Sequence, residues 1–251
     1  MIDVHCHLEQ KDYSQDREEV IEKCKKELKG VITSCAHPKD WDLTLSIVEK
    51  HKGFIFASAG IHPEYIKEIK KEEIEEYLKK IRENKEKIVS IGEIGLDYFM
   101  IKEEEWRKKQ QELFYRMLEF AKEIKKPVTI HIRDAFEDAI KILEDAGVEK
   151  VHLHMFGGRK FLQRVLENGW YISENTIILM SKNYKKVVRD TPLERLMLET
   201  DSPWLGIEKK RNTPLAIKLV AKKIAEIKKI SFEEVWKKCG ENAIRFFELK
   251  F

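Results

Sequence analysis

Apolar and polar positions repeat at two periods along this chain, and the two periods take turns. Ile2, Val4 and Cys6 interleave with Asp3, His5 and His7, the two-residue repeat of a strand over about 1–7. A polar stretch with apolar residues three and four apart follows at 14–28 and reads as a helix. Apolar runs at 30–34, 53–60, 88–93, 128–132, 151–155, 169–173 and 193–199 continue the strands. Amphipathic stretches at about 40–50, 72–84, 103–125, 135–146, 157–166 and 182–188 fill the intervals. Two more, 214–227 and 231–248, close the chain. Punctuation agrees with this division. Pro38 and Asp40 open a helix, Gly147 ends one, Pro127 restarts the chain as a strand, and Ser231 has an acid three residues on.

Strands that alternate with helices pair in parallel, because each crossover returns the chain to the same end of the sheet. Eight of them predict a (β/α)₈ TIM barrel, a single domain over 1–251. An open doubly wound sheet is the competitor, but its Gly-rich phosphate loop is missing after the first strand, where HCHLEQ stands instead.

Composition narrows the class. A length of 251 residues suits one barrel and buries a large core without staples. Cys6, Cys24, Cys35 and Cys239 are scattered with no CxxC pair, which argues against a disulfide framework and a thiolate zinc site and fits a reducing cytoplasm. The beginning of the chain has no basic stretch followed by an apolar one, so no secretory signal is expected. No run is long enough to span a membrane. The net charge of +3, from 48 basic and 45 acidic residues, neither demands nor excludes nucleic acid. The charges read first as solvated helix faces with i,i+4 pairs, and a monomer is expected.

In a barrel, residues at the C-terminal ends of the strands converge on one mouth. Those ends supply His5 and His7, then Glu93, His131 with Arg133 two residues on, His154 and Asp201. The histidine pair alone says little. Six imidazole and carboxylate ligands aimed at one place suit Zn²⁺, Mn²⁺ or Mg²⁺. They outnumber the needs of one four-coordinate ion. A carboxylate bridging two divalent cations roughly 3.5–4 Å apart would use them all. Glu93 is the natural bridge, with His5, His7 and Asp201 on one side and His131 and His154 on the other. Imidazole binds metal only when neutral, so affinity is expected to fall as pH drops through roughly 6.

Taken in order, DVHCHL (3–8), GIHP (60–63), GEIGLDY (92–98), PVTIHIRDA (127–135), HMFGG (154–158), YIS (171–173), ETDSPWL (199–205) and RNTP (211–214) resemble the TatD family of metal-dependent deoxyribonucleases, across nearly the whole chain. The resemblance implies a TIM barrel with two divalent metals that cleaves phosphodiester bonds in DNA. It carries the metal ligands onto the same six residues. The family often has Cys and Ser where this chain has Met155 and Gly157, and Pro where it has Gly206-Ile207. None of these is a ligand position.

The expected activity is therefore hydrolysis of DNA, with Asp201 as general base and Glu93 between the metals. Hydrolysis of an amide, ester or aminoacyl-tRNA by the same site is the alternative, and a non-catalytic nucleic-acid-binding barrel a more distant one. Arg133, His62 and Arg211 are candidate substrate or phosphate contacts, Arg211 as part of the basic run from Lys209. Asp3 is a candidate for orienting an imidazole and Asp97 for a loop cap or site residue. His152 reads as a core histidine, His37 and His51 as surface residues, and Trp106, Trp170 and Trp236 as packing.

Overall fold

The computed structural model describes residues 1–251, apart from the side chain of Lys209. Eight strands follow one another around the sheet in chain order, each parallel to the next. They are β1 (Ile2–Cys6), β2 (Gly30–Cys35), β3 (Ile55–Ala59), β4 (Ile88–Asp97), β5 (Val128–Arg133), β6 (Val151–Leu153), β7 (Tyr171–Glu174) and β8 (Leu196–Leu198). The seam between β8 and β1 closes just beyond the ladder. The Asp201 amide donates to the His5 carbonyl at 2.9 Å and the His7 amide to the Ser202 carbonyl at 2.7 Å. Asp3 locks that seam: its carboxylate accepts from the Thr200 amide and hydroxyl at 3.1 and 2.6 Å and from the His5 amide at 3.2 Å. It orients backbone, not the imidazole expected of it.

Helices α1 (Arg17–Lys25), α2 (Trp41–Lys50), α3 (Lys71–Glu83), α4 (Glu104–Ile124), α5 (Phe136–Ala146), α6 (Leu162–Glu167) and α7 (Lys182–Asp190) connect the strands, and α8 (Ile217–Lys228) and α9 (Phe232–Phe247) follow. Helix α4 shows why they form. Gln110, Leu113, Phe114, Met117, Leu118, Ala121 and Ile124 make one buried stripe, and Lys125, in the left-handed region at φ 58°, stops the helix ahead of Pro127. The Ser231 hydroxyl caps α9 by accepting from the Glu234 amide at 3.1 Å. Helix α1 begins later than the pattern suggested, because residues 11–16 form turns. His51 is buried, not exposed, with Nε2 3.2 Å from Glu18 Oε2. The four cysteines are buried and free. Among the described residues no helix is long and apolar enough to cross a membrane.

Two strands differ from the sequence pattern where it matters. Leu193–Arg195 form a 3-10 turn, so β8 is short and Asp201 lies beyond it, at φ 54°. Strand β4 runs past Glu93 to Asp97, and its register against β5 slips between Ile91 and Ile94. Ser90 points into the barrel, donating to Ser58 Oγ at 2.8 Å. Strict alternation from Ser90 turns Glu93 away from the interior; the bulge brings it back.

The main core lies between strands and helices. A second cluster fills the barrel floor, where Ile2, Val4, Ile32 and Met197 meet Phe246, Phe247 and Leu249.

Candidate metal centre

Five of the six expected ligand residues, His7, Glu93, His131, His154 and Asp201, line one cavity of about 650 Å³, and His5 lies against them. His5 Nε2 lies 3.1 Å from His7 Nε2, 3.3 Å from Glu93 Oε2 and 3.7 Å from Asp201 Oδ1. His7 Nε2 lies 3.8 and 3.5 Å from the same two oxygens. The edge of a tetrahedron with metal–ligand bonds of about 2.05 Å is about 3.3 Å. These four atoms, all able to donate a lone pair, are spaced as ligands of a single cation. The other Glu93 oxygen faces a second group. Oε1 is 3.0 Å from His131 Nδ1, 3.1 Å from His154 Nε2 and 3.5 Å from His62 Nε2. The donor set fits divalent cations, and Glu93 serves both groups at once.

Most of these imidazoles are aimed by a partner on their far side. His7 Nδ1 is 2.9 Å from the Ser34 carbonyl and 3.3 Å from Glu9 Oε1, which sits in a carboxylate that accepts the Thr33 hydroxyl at 2.7 Å. His131 Nε2 lies 3.0 Å from Asp97 Oδ2, and His154 Nδ1 lies 3.1 Å from Glu199 Oε1. Such contacts fix the ring and raise its basicity. His5 Nδ1 has no partner among the described residues; that ring is held by stacking on His154 at 4.1 Å.

Charge follows from burial and crowding. Burial alone would neutralise His7, but Asp201, Glu9 and Glu93 outweigh it and push its pKa up to about 10. His131 and His154 are raised against burial by the same kind of neighbour, Asp97 and Glu93 for the first, Glu199 and Glu93 for the second. Burial would raise Glu93, yet the charge of His154 above all, with the hydrogen bond from His131, holds it well below the carboxylate range. Glu199, against the same burial, falls to about 2 beside His154. The cavity is built to hold positive charge, and without a cation protons supply it.

His62 caps the turn that follows it and also faces Glu93. Its Nδ1 accepts from the Glu64 amide at 3.2 Å, while Nε2 faces Glu93, and burial lowers its pKa to about 3, leaving it neutral. Arg133 stands exposed at the mouth, its guanidinium 3.8 Å over the Phe99 ring and without an ion pair among the described residues. Arg211 is not available for phosphate. It grips both oxygens of Asp16 at 2.7 and 2.5 Å, donates to the Asp12 carbonyl and covers the Tyr13 ring, so it ties the loop after β8 to the approach of α1. Lys210 pairs with Glu208, and the Lys209 side chain lies outside the described residues. His152 is the bonded core histidine expected, with Ser173 Oγ at 2.6 Å. Asp97 both caps, accepting from the Met100 amide at 2.7 Å, and contacts His131.

Sequence reasoning missed Glu9, Glu199 and Tyr184. Glu9 extends the alternation of His5 and His7 by one step. Glu199 follows three buried apolar residues of β8, an unusual place for an acid. Nothing in the pattern marked Tyr184.

The family described as TatD related DNase matches residues 2–248. Deoxyribonuclease TATDN3 of Homo sapiens is 33% identical, with 98% of this chain and 94% of that protein aligned. An uncharacterized metal-dependent hydrolase of Methanocaldococcus jannaschii is 37% identical over 98% of this chain and 96% of its own. The crystal structure of a TatD family hydrolase from Entamoeba histolytica superposes with a TM-score of 0.92 at 24% identity, covering 100% of this chain and 98% of that one.

Proposed function

Because this chain belongs to the TatD-related DNase family, we propose that it is a metal-dependent deoxyribonuclease that works with two divalent cations. His5, His7, Asp201 and Glu93 would hold one, and Glu93, His131 and His154 the other. The observation that carries this reading is the Glu93 carboxylate, each oxygen of which faces a separate group of nitrogen ligands. Mg²⁺, Mn²⁺ and Zn²⁺ all accept this donor set. When bound, such cations make water nucleophilic near neutral pH and offset the charge that develops on a phosphate. Asp201, partly open to the cavity, takes the proton of the attacking water. His62, neutral at the edge of the site, hydrogen-bonds water or substrate there. Arg133 draws the phosphate backbone into the mouth.

The test is to strip metal with a chelator, restore Mg²⁺, Mn²⁺ or Zn²⁺ singly, and follow a labelled DNA oligonucleotide beside RNA, aminoacyl-tRNA and small esters. At least one ion should restore DNA cleavage, and Glu93→Ala should remove it with the circular dichroism unchanged. Turnover of an ester or aminoacyl-tRNA but not DNA, or a Glu93→Ala variant cleaving at the wild-type rate, rejects the reading.

A further inference from the structure

Five carboxylates line the cavity, those of Asp40, Glu64, Glu93, Asp97 and Asp201. Apart from imidazoles, Arg133 is the one cationic side chain among the described residues of that lining. The second observation concerns Gly157. Its backbone is not left-handed, so conformation does not require a glycine there. Space does. A Cβ at 157 would sit 2.7 Å from the Tyr184 hydroxyl oxygen and 2.8 Å from the ring carbon that bears it. Glycine at 157 leaves room for the tip of Tyr184. The arrangement is fixed from α7, where Asn183 Nδ2 donates to the Gly157 carbonyl at 2.8 Å.

Tyr184 is itself half-buried, packed on the edge of the main core, and it lines the cavity with Arg133 and His154. Its hydroxyl makes no hydrogen bond among the described residues. Burial, with Glu174 and Glu199 nearby, pushes its pKa up to about 12, and Arg133 is close enough for its charge to act in the other direction. The hydroxyl is thus a neutral donor with no partner among the described residues, in the lining of the same cavity as a guanidinium with no counter-ion there. Phe99 backs that guanidinium from behind. A group used only for packing needs neither the free hydroxyl nor the cleared space at 157.

We propose that Arg133 and Tyr184 form a phosphate subsite beside the metal centre, which holds the phosphate next to the scissile one on a nucleic acid strand. The proposal rests on the nuclease reading above and names a determinant of its substrate. An anion flanked by a guanidinium and a phenol gains charge-assisted hydrogen bonds, worth about tenfold in affinity for each partner.

The test separates the subsite from turnover. Calorimetric titration of the metal-loaded protein compares thymidine 3′,5′-bisphosphate with thymidine 3′-monophosphate, neither of which contains a diester. The bisphosphate should bind about tenfold or more tightly. Tyr184→Phe should cut that preference about tenfold and leave the monophosphate affinity unchanged, and Arg133→Gln should cut the preference at least as much. Gly157→Ser, which pushes the hydroxyl aside without removing it, should behave as Tyr184→Phe does. Equal binding of the two ligands by the wild-type protein overturns the proposal, as does full retention of the preference in Tyr184→Phe or an equal loss for both ligands. Cleavage of dithymidine with and without a 5′-phosphate is scored separately. An intact bisphosphate preference with no diester cleavage under any metal refutes the nuclease reading and leaves the subsite standing. Cleavage without the preference does the reverse.

Discussion

Replacing Glu199 by Gln should weaken one cation site and spare the other. The Glu199 carboxylate is fully buried, with Oε1 3.1 Å from His154 Nδ1 and 3.0 Å from Asn175 Nδ2, and Oε2 2.5 Å from the Ser173 hydroxyl. Glutamine keeps the shape. Its oxygen can stay on the His154 side if its amide turns to Ser173, whose hydroxyl rotates to accept. What goes is the negative charge behind His154. A hydrogen bond to an ionised partner contributes about 1.5–3 kcal/mol, roughly twice a neutral one. The difference, about 1–1.5 kcal/mol, corresponds to about a tenfold loss of metal affinity. That lies at the lower edge of the 10- to 100-fold range for groups that orient a ligand. The loss should fall on the Glu93, His131 and His154 site. His5, His7 and Asp201 make no hydrogen bond to Glu199, so their site should change less. Competition with a fluorescent chelator, fitted to two sites, measures both affinities. Equal weakening of the two sites, or no weakening of either, refutes the argument.

Proton release gives a second prediction. The folded pKa of His7, about 10, lies above its ordinary value of 6.5, so its contribution to the metal-free fold is complete below about 6.5 and is lost as pH rises through about 10. The metal-free protein should melt at progressively lower temperature across that window. Metal affinity should keep climbing above pH 7, by up to about tenfold per unit for each proton displaced, and not level off just above pH 6 as unperturbed histidines would imply; an affinity flat from pH 7 to 9 contradicts this. Arg211→Ala should cost about 1 kcal/mol in urea unfolding, for a partly exposed bidentate pair and a stacked ring, with KM for an oligonucleotide unchanged. Gly95→Ala should destabilise by about 3 kcal/mol or more, because φ is +143° and a Cβ would lie 2.0 Å from the His131 carbonyl oxygen; a melting temperature near wild type would disprove that.

The order of strands and the placing of the ligands were legible because both follow from periodicity. His5, His131 and His154 each stand at or next to the end of an apolar run, and a parallel barrel sends such ends to one mouth. Glu93 was placed correctly for an incomplete reason. It was read as the end of its strand, whereas β4 continues to Asp97 and Glu93 faces inward only because of the slip between Ile91 and Ile94. The two glycines that flank the Glu93-Ile94 step are the sequence trace of that bulge. Arg211 was misread because its partner, Asp16, is 195 residues away, and pairing across that separation leaves no periodic mark. Tyr184 carries no periodic mark either; what sets it apart in the proposed subsite is the space left beside it by Gly157.

The interior layer beneath the site explains why the ligands sit where they do. At this depth a barrel commonly carries Val, Ile and Leu. Here Ser58, Ser90, Thr129, His152 and Ser173 meet instead, one from each of β3 to β7. Burial lowers the His152 pKa to about 3, so the ring is neutral and carries one N–H. If Nε2 donates to Ser173 at 2.6 Å, Ser173 can donate to Glu199, which in turn accepts from His154. On the other side, Ser90 donates to Ser58 at 2.8 Å and Ser58 to the Gly92 carbonyl at 2.8 Å, the peptide that leads into Glu93. The polar layer therefore ends at two places, the support of His154 and the backbone of Glu93, the two residues that share a cation in the proposed reading. Apolar packing would be equally compact, but it would take the Ser173 hydroxyl from the buried Glu199 carboxylate, at a cost of about 1.5–3 kcal/mol. The Phe246 and Phe247 rings close the barrel immediately below, 6.2 and 5.7 Å from His152. The conversion from apolar floor to metal centre is made within this single layer, and its hydrogen bonds set the angles of the ligands above.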